Sequence, residues 1–146
     1  FKQTRIGAHE KPFTIFKFRS MKISSKKYEH CPIDGNDPRI TKVGIWLRKF
    51  SIDELPQLIN VLKGDMSLVG PRPEMPFIVD TYDNYEKKRF SVLPGITGLW
   101  QVSPARKAEI HDNPEYDILY IEQRDLSLDL LILILTLVFV FKSFTH

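Results

Sequence analysis

Two adjacent acids, Asp53 and Glu54, stand in the stretch "SIDELPQL" (residues 51–58), and downstream "GPRPE" pins Arg72 between two prolines. Acids in such a place have two uses. They can help start a helix, because Ser51-Ile52-Asp53-Glu54 fits the S-x-x-E capping box in which serine and glutamate satisfy each other's backbone donors. They can also act on phosphorus. An aspartate, with a reference pKa of about 3.9, is ionised at neutral pH and needs no base to make it a nucleophile. Like charge opposes its approach to a diphosphate, so the chemistry calls for a divalent cation such as Mg²⁺ and for neighbouring arginines or lysines. Glu54 is the candidate metal ligand, and Lys17, Arg19, Arg48 and Arg72 are candidate anion partners. Glycoside hydrolysis fits poorly, since its two carboxylates face each other across a sugar at about 5 Å or more.

Pro56 bears on the choice of helix start. With Ser51 as the cap, Pro56 is the fifth helical residue, where the missing N–H costs a hydrogen bond. With Asp53 as the cap it is the third, where the N–H is unpaired anyway. The second register is the more consistent. It sets Asp53 at the positive end of a helix, where free N–H groups attract phosphate.

The elements that must position these residues are legible in part. "FTIFKFRSM" (13–21) alternates, with Phe16 and Phe18 on one face and Lys17 and Arg19 on the other, which predicts a short strand. "SSKKYEHCPIDGNDP" (24–38) is a turn-rich surface loop. Val43, Trp46, Leu47 and Phe50 form one apolar helix face, and Leu55, Leu58, Ile59 and Leu62 a second, ended by Gly64. A sharp corner between the two helices holds Asp53 and Glu54. "MSLVG" (66–70) is a short apolar run, and "PRPEMP" is extended or turned. A helix is expected from about Phe77 to Phe90, with Lys87, Lys88 and Arg89 in its last turn. Glycines three apart in "LPGITGLWQV" (93–102) signal a loop before a strand-like piece with Trp100. Asn113-Pro114-Glu115 is a helix start. "LLILILTLVFVF" (130–141) is too short to span a bilayer, which takes roughly 20 residues; it suits a core helix or membrane contact.

The 146 residues make one domain with enough chain for a core. The net charge of +3 suits phosphates or lipid headgroups and is too small to argue for nucleic acid. Cys31 is alone, which excludes an intrachain disulfide and fits a reducing compartment. His9, His30, His111 and His146 are scattered without metal-ligand spacing. Beginning at Phe1 without an initiator methionine, the sequence reads as an excised domain.

"FTIFKFRSM", "RITKVGIWLRKFSIDELPQLINVLKGDMSLVGPRPE", "LPGITGLWQV" and "YDILYIEQRDLSLDL" together resemble, in order and spacing, the bacterial sugar transferase family. These are monotopic polyprenyl-phosphate phosphoglycosyl transferases, and the resemblance covers nearly the whole chain. It implies a small, mainly helical α+β domain with short strands and membrane-surface helices. It also implies transfer of a sugar 1-phosphate from a nucleotide diphosphate sugar, usually of uridine, to polyprenyl phosphate. On that resemblance Asp53 is the nucleophile that forms a covalent phosphosugar intermediate, and Glu54 its dyad partner on Mg²⁺. Arg72 matches the nucleotide-side arginine region, and Lys17 and Arg48 match basic positions near the active site. The implied location is the cytoplasmic face of the bacterial inner membrane, where membrane-bound glycan or exopolysaccharide synthesis begins.

Three departures stand out. The hydrophobic re-entrant helix that usually opens the family domain is absent from this sequence. After "WQV" the family usually reads serine-glycine-arginine, whereas this chain has Ser103-Pro104-Ala105-Arg106, so Arg106 stands one residue from the family's position. The tail lacks the usual lysines, which favours membrane contact for 130–141. Lys87, Lys88 and Arg89 suit either contact with anionic lipids, at about 1 kcal/mol each, or a solvated helix end. The alternative from another class is a catalytically silent, membrane-associated scaffold for a glycan-assembly system.

Overall fold

The computed structural model describes residues 1–26, 37–107 and 113–142. Cys31, His30, His111, His146 and the middle of the 24–38 loop lie outside them. The architecture is a small α+β domain in which helices and 3₁₀ turns surround two two-stranded sheets. Strands β1 (Lys2–Ile6) and β2 (Pro12–Phe16) form an antiparallel hairpin, and β3 (Ser67–Val69) runs parallel to β4 (Gly95–Thr97).

β1 has the same period-two logic as its partner: Gln3 and Arg5 alternate inward, each 6% exposed. The expected strand in 13–21 forms but ends at Phe16. Beyond it Lys17 still exchanges backbone bonds with Phe1, and Phe18 N–H donates to the Asp53 carbonyl.

Helix α1 (Lys42–Lys49) and the pair formed by a 3₁₀ helix (Ile52–Gln57) and α2 (Leu58–Leu62) occupy the expected positions. Their apolar stripes face outward. Val43 is 68% exposed, Trp46 64% and Leu62 88%, whereas Asp53, Gln57 and Asn60 are buried. The inward face of α1 is polar and small. Thr41 Oγ1 accepts from Gly44 N–H, Arg48 Nε donates to Ser20 Oγ, and a Cβ at Gly44 would lie 1.9 Å from the Ser20 carbonyl oxygen. Asn60 binds the edge of β2, donating to the Thr14 carbonyl and accepting from Phe16 N–H.

Three expectations are corrected between 76 and 102. The single helix over 77–90 is broken: α3 (Pro76–Val79) stops, and a 3₁₀ helix restarts over Glu86–Ser91. A local capping box causes the restart, with Asp83 accepting from Glu86 N–H and Glu86 accepting from Asp83 N–H. The glycine loop of 93–102 is instead strand β4, and the strand-like WQV is a 3₁₀ turn. Gly95 is required because β4 and the Gly70 backbone touch: its Cβ would lie 2.1 Å from Gly70 N.

Helices α4 (Glu115–Gln123) and α5 (Leu126–Lys142) close the described chain. One narrow side of α5 packs, with Ile132 fully buried beside Val69 and Tyr120. The rest is open, including Leu126 (75% exposed), Ile134 and Phe141. Among the described residues no helix is long and apolar enough to cross a membrane. A second core gathers Met75, Ile78, Val79, Tyr82 and Phe90.

Candidate active site

The corner between α1 and α2 turns at Ser51, whose φ of 55° is left-handed. Ser51 makes no side-chain cap bond, so the capping box does not form. Asp53 lies inside the 3₁₀ helix rather than capping it, and Pro56 is accommodated there too. With the box unformed, Glu54 turns to Lys17 and Arg72. Lys17 Nζ donates to Glu54 Oε1 at 2.7 Å, and Arg72 Nη1 and Nη2 approach the same oxygen at 3.5 Å.

The two acids have opposite electrostatics. Burial acts to raise the Glu54 pKa, but the charges and hydrogen bonds of Lys17 and Arg72 override it and hold the carboxyl at about 2. Asp53, 8% exposed, is raised, first by burial and second by the Glu54 charge, against the pull of Lys17, Arg48 and Arg72. Among the described residues no donor hydrogen-bonds the Asp53 carboxylate. It is a desolvated carboxylate ringed by cations that its neighbour partly neutralises.

The structure therefore brings Lys17, Arg48 and Arg72 around Asp53 and Glu54. It sends two other candidates elsewhere. Exposed Arg19 lies over the Phe1 ring at 5.1 Å, because the alternation that paired it with Lys17 ends with β2. Exposed Arg106 lies over the Phe139 ring of α5 at 4.2 Å. Arg89, expected at a helix end facing lipid or solvent, is 2% exposed and belongs to the interior, while Lys87 pairs with Glu10 at 3.6 Å.

Sequence reasoning missed Arg5 and Gln57, which with Lys17, Arg72 and Pro73 line a small depression beside the dyad. Both left signals. Arg5 alternates with Gln3, and Asp53, Gln57 and Asn60 form a polar i, i+4, i+7 stripe opposite the apolar one. Among the described residues no cluster of three potential metal ligands exists, so no all-protein metal cage is present there. A Mg²⁺ ion that arrives on substrate phosphates needs only one or two carboxylates. The dyad fits that role, since Asp53 accepts from no donor among the described residues and the hydrogen bonds of Lys17 and Arg72 to Glu54 all end on Oε1.

Several known proteins are similar to this chain in sequence. The galactosyl transferase CpsE of Streptococcus agalactiae is 42% identical over 149 residues, covering 94% of this chain and 33% of its own length. The uncharacterized sugar transferase EpsL of Bacillus subtilis is 44% identical over 136 residues, covering 93% of this chain and 66% of its own. The UDP-glucose:undecaprenyl-phosphate glucose-1-phosphate transferase of Escherichia coli is 41% identical over 154 residues, covering 100% of this chain and 32% of its own. The chain thus spans about a third to two thirds of the length of these relatives. The family model for bacterial sugar transferases matches residues 1–143, and the chain belongs to that family.

Proposed function

We propose that this domain transfers a sugar 1-phosphate from a nucleotide diphosphate sugar to polyprenyl phosphate, with Asp53 as the covalent nucleophile. The reading rests on Asp53 being buried, with no hydrogen-bond donor to its carboxylate among the described residues, next to a carboxylate held ionised by Lys17 and Arg72. A carboxylate oxygen of Asp53 attacks the sugar-bearing phosphorus. The bond from that phosphorus to the bridging oxygen breaks, and the nucleoside monophosphate leaves with the electron pair. An oxygen of the polyprenyl phosphate then attacks the same phosphorus, which frees the Asp53 carboxylate and yields a polyprenyl diphosphosugar. Lys17, Arg48 and Arg72 offset the charge repulsion that opposes both attacks. Glu54 would hold Mg²⁺, which when bound neutralises diphosphate charge. The names of relatives acting on UDP-glucose and undecaprenyl phosphate support this substrate class.

The same reading puts the domain on the cytoplasmic face of a membrane, because a polyprenyl chain stays in lipid and Asp53 must reach its headgroup. Support comes from the outward stripes of α1 and α2 and from α5. Both α2 and α5 contact β3, whose Leu68 is itself 44% exposed.

The test is intact-protein mass after incubation with Mg²⁺ and a panel of UDP-sugars, without acceptor. A gain of one sugar phosphate, absent in Asp53→Asn and after chelation, is the expected result. An adduct that persists in Asp53→Asn would remove Asp53 from the nucleophile's role.

A further inference from the structure

The segment that carries Arg72 is short of backbone donors of its own, because Pro71 and Pro73 have no N–H to donate. Its carbonyls are instead gripped from outside. Gly95 N–H donates to Pro71 O at 2.9 Å, Arg89 Nη2 to Arg72 O at 2.8 Å, Arg5 Nη1 to Pro73 O at 3.2 Å, and Ile6 N–H to Glu74 O at 2.9 Å.

Arg89 is the least expected of these donors. Burying a guanidinium is costly unless it is paired. Here Asp117 of α4 meets Arg89 Nη2 at 2.6 Å, Glu74 meets Nη1 at 3.9 Å, and the Tyr82 hydroxyl accepts from Nη1. Both carboxylate side chains are almost as buried as Arg89 itself, at 3% and 5% exposure. α4 also holds the approach to this segment, since the Tyr120 hydroxyl contacts both Val69 O and Asp129.

We propose that Arg89, clamped by Asp117, Glu74 and Tyr82, is a positioning residue that sets Arg72 toward the donor diphosphate. This rests on the reading that Arg72 binds the donor. A fork is needed because the same nitrogen meets a carboxylate and the Arg72 carbonyl while the other meets Tyr82. A lysine would keep the buried charge and lose that geometry. Burial and Glu74 push Asp117 up to about 6 against the pull of Arg89, in keeping with two carboxylates sharing one buried cation.

The experiment is a double-mutant cycle on the full chain, reading donor KM and kcat with the UDP-sugar identified by the adduct assay. Arg89→Lys is expected to raise donor KM about 10-fold with kcat nearly unchanged, and to add nothing in an Arg72→Ala background. An equal rise in both backgrounds would make Arg89 merely structural and overturn the proposal. So would an unchanged KM. If Arg89→Lys loses its cooperative melt, the isosteric Asp117→Asn takes its place in the cycle: a KM rise confined to the Arg72 background supports the proposal, and an equal rise or none overturns it. If Arg72→Ala itself leaves donor KM unchanged, the donor-binding role of Arg72 falls, and this proposal falls with it.

Discussion

Replacing each acid of the dyad by its amide is expected to move stability in opposite directions. Glu54 is held at about 2 against an ordinary 4.5. At about 1.4 kcal/mol per pKa unit, that separation is at most about 3 kcal/mol of native-state stabilisation. Lys17, Glu54 and Arg72 retain side-chain exposures of 16%, 18% and 25%, so solvent screens part of it. A loss of about 1–3 kcal/mol is therefore expected for Glu54→Gln at pH 7. For a chain of this size that is roughly 3–10 °C in Tm. Because the Glu54 pKa is lowered on folding, its contribution is complete above 4.5 and disappears as pH falls toward 2. Asp53 has the other sign. Its pKa is raised by burial and by Glu54, so ionising it costs the native state as pH rises from 3.8. Asp53→Asn is expected to melt above the wild type at pH 7 and to converge with it in acid. Circular dichroism melts of the three proteins from pH 3 to pH 8 measure both effects. An Asp53→Asn protein that melts lower at pH 7 would mean that the carboxylate stabilises the backbone, as a cap does. A Glu54→Gln gap that stays constant across the pH range would refute the claim that the Lys17 and Arg72 charges create it.

Three further outcomes are expected. Asn60→Leu leaves the Thr14 carbonyl and Phe16 N–H without their partner, and should lower unfolding free energy by about 2–4 kcal/mol in a denaturant titration. Gly44→Ala drives a methyl into the Ser20 carbonyl and should cost about 3 kcal/mol, with donor turnover falling as Arg48 is displaced. Because the outward stripe is exposed, Trp46→Glu with Leu62→Glu should leave Tm within a few degrees while abolishing cosedimentation with vesicles; a large Tm loss would show that these residues pack in the core.

Local pattern reached much of this protein. The helices over 42–49 and 115–123 and the apolar run that became β3 are each specified by side-chain period, cap or proline. The adjacent acids beside Pro56 marked the place where Lys17 and Arg72 converge. What pattern could not supply was which way a face would turn. An i, i+3, i+4, i+7 stripe is the same whether it meets a core or open surface, and only the Ser20 backbone against Gly44 and the β2 edge against Asn60 turn the polar side inward. The ion partners are likewise tertiary: Lys17 reaches Glu54 across 37 positions. Arg89 is another example. In sequence it ends a basic run, and in the structure it sits between two carboxylates from distant segments. Backbone sterics and hydrogen bonding between near neighbours make helix and strand period readable locally. Burial and charge pairing depend on groups that only the fold brings together.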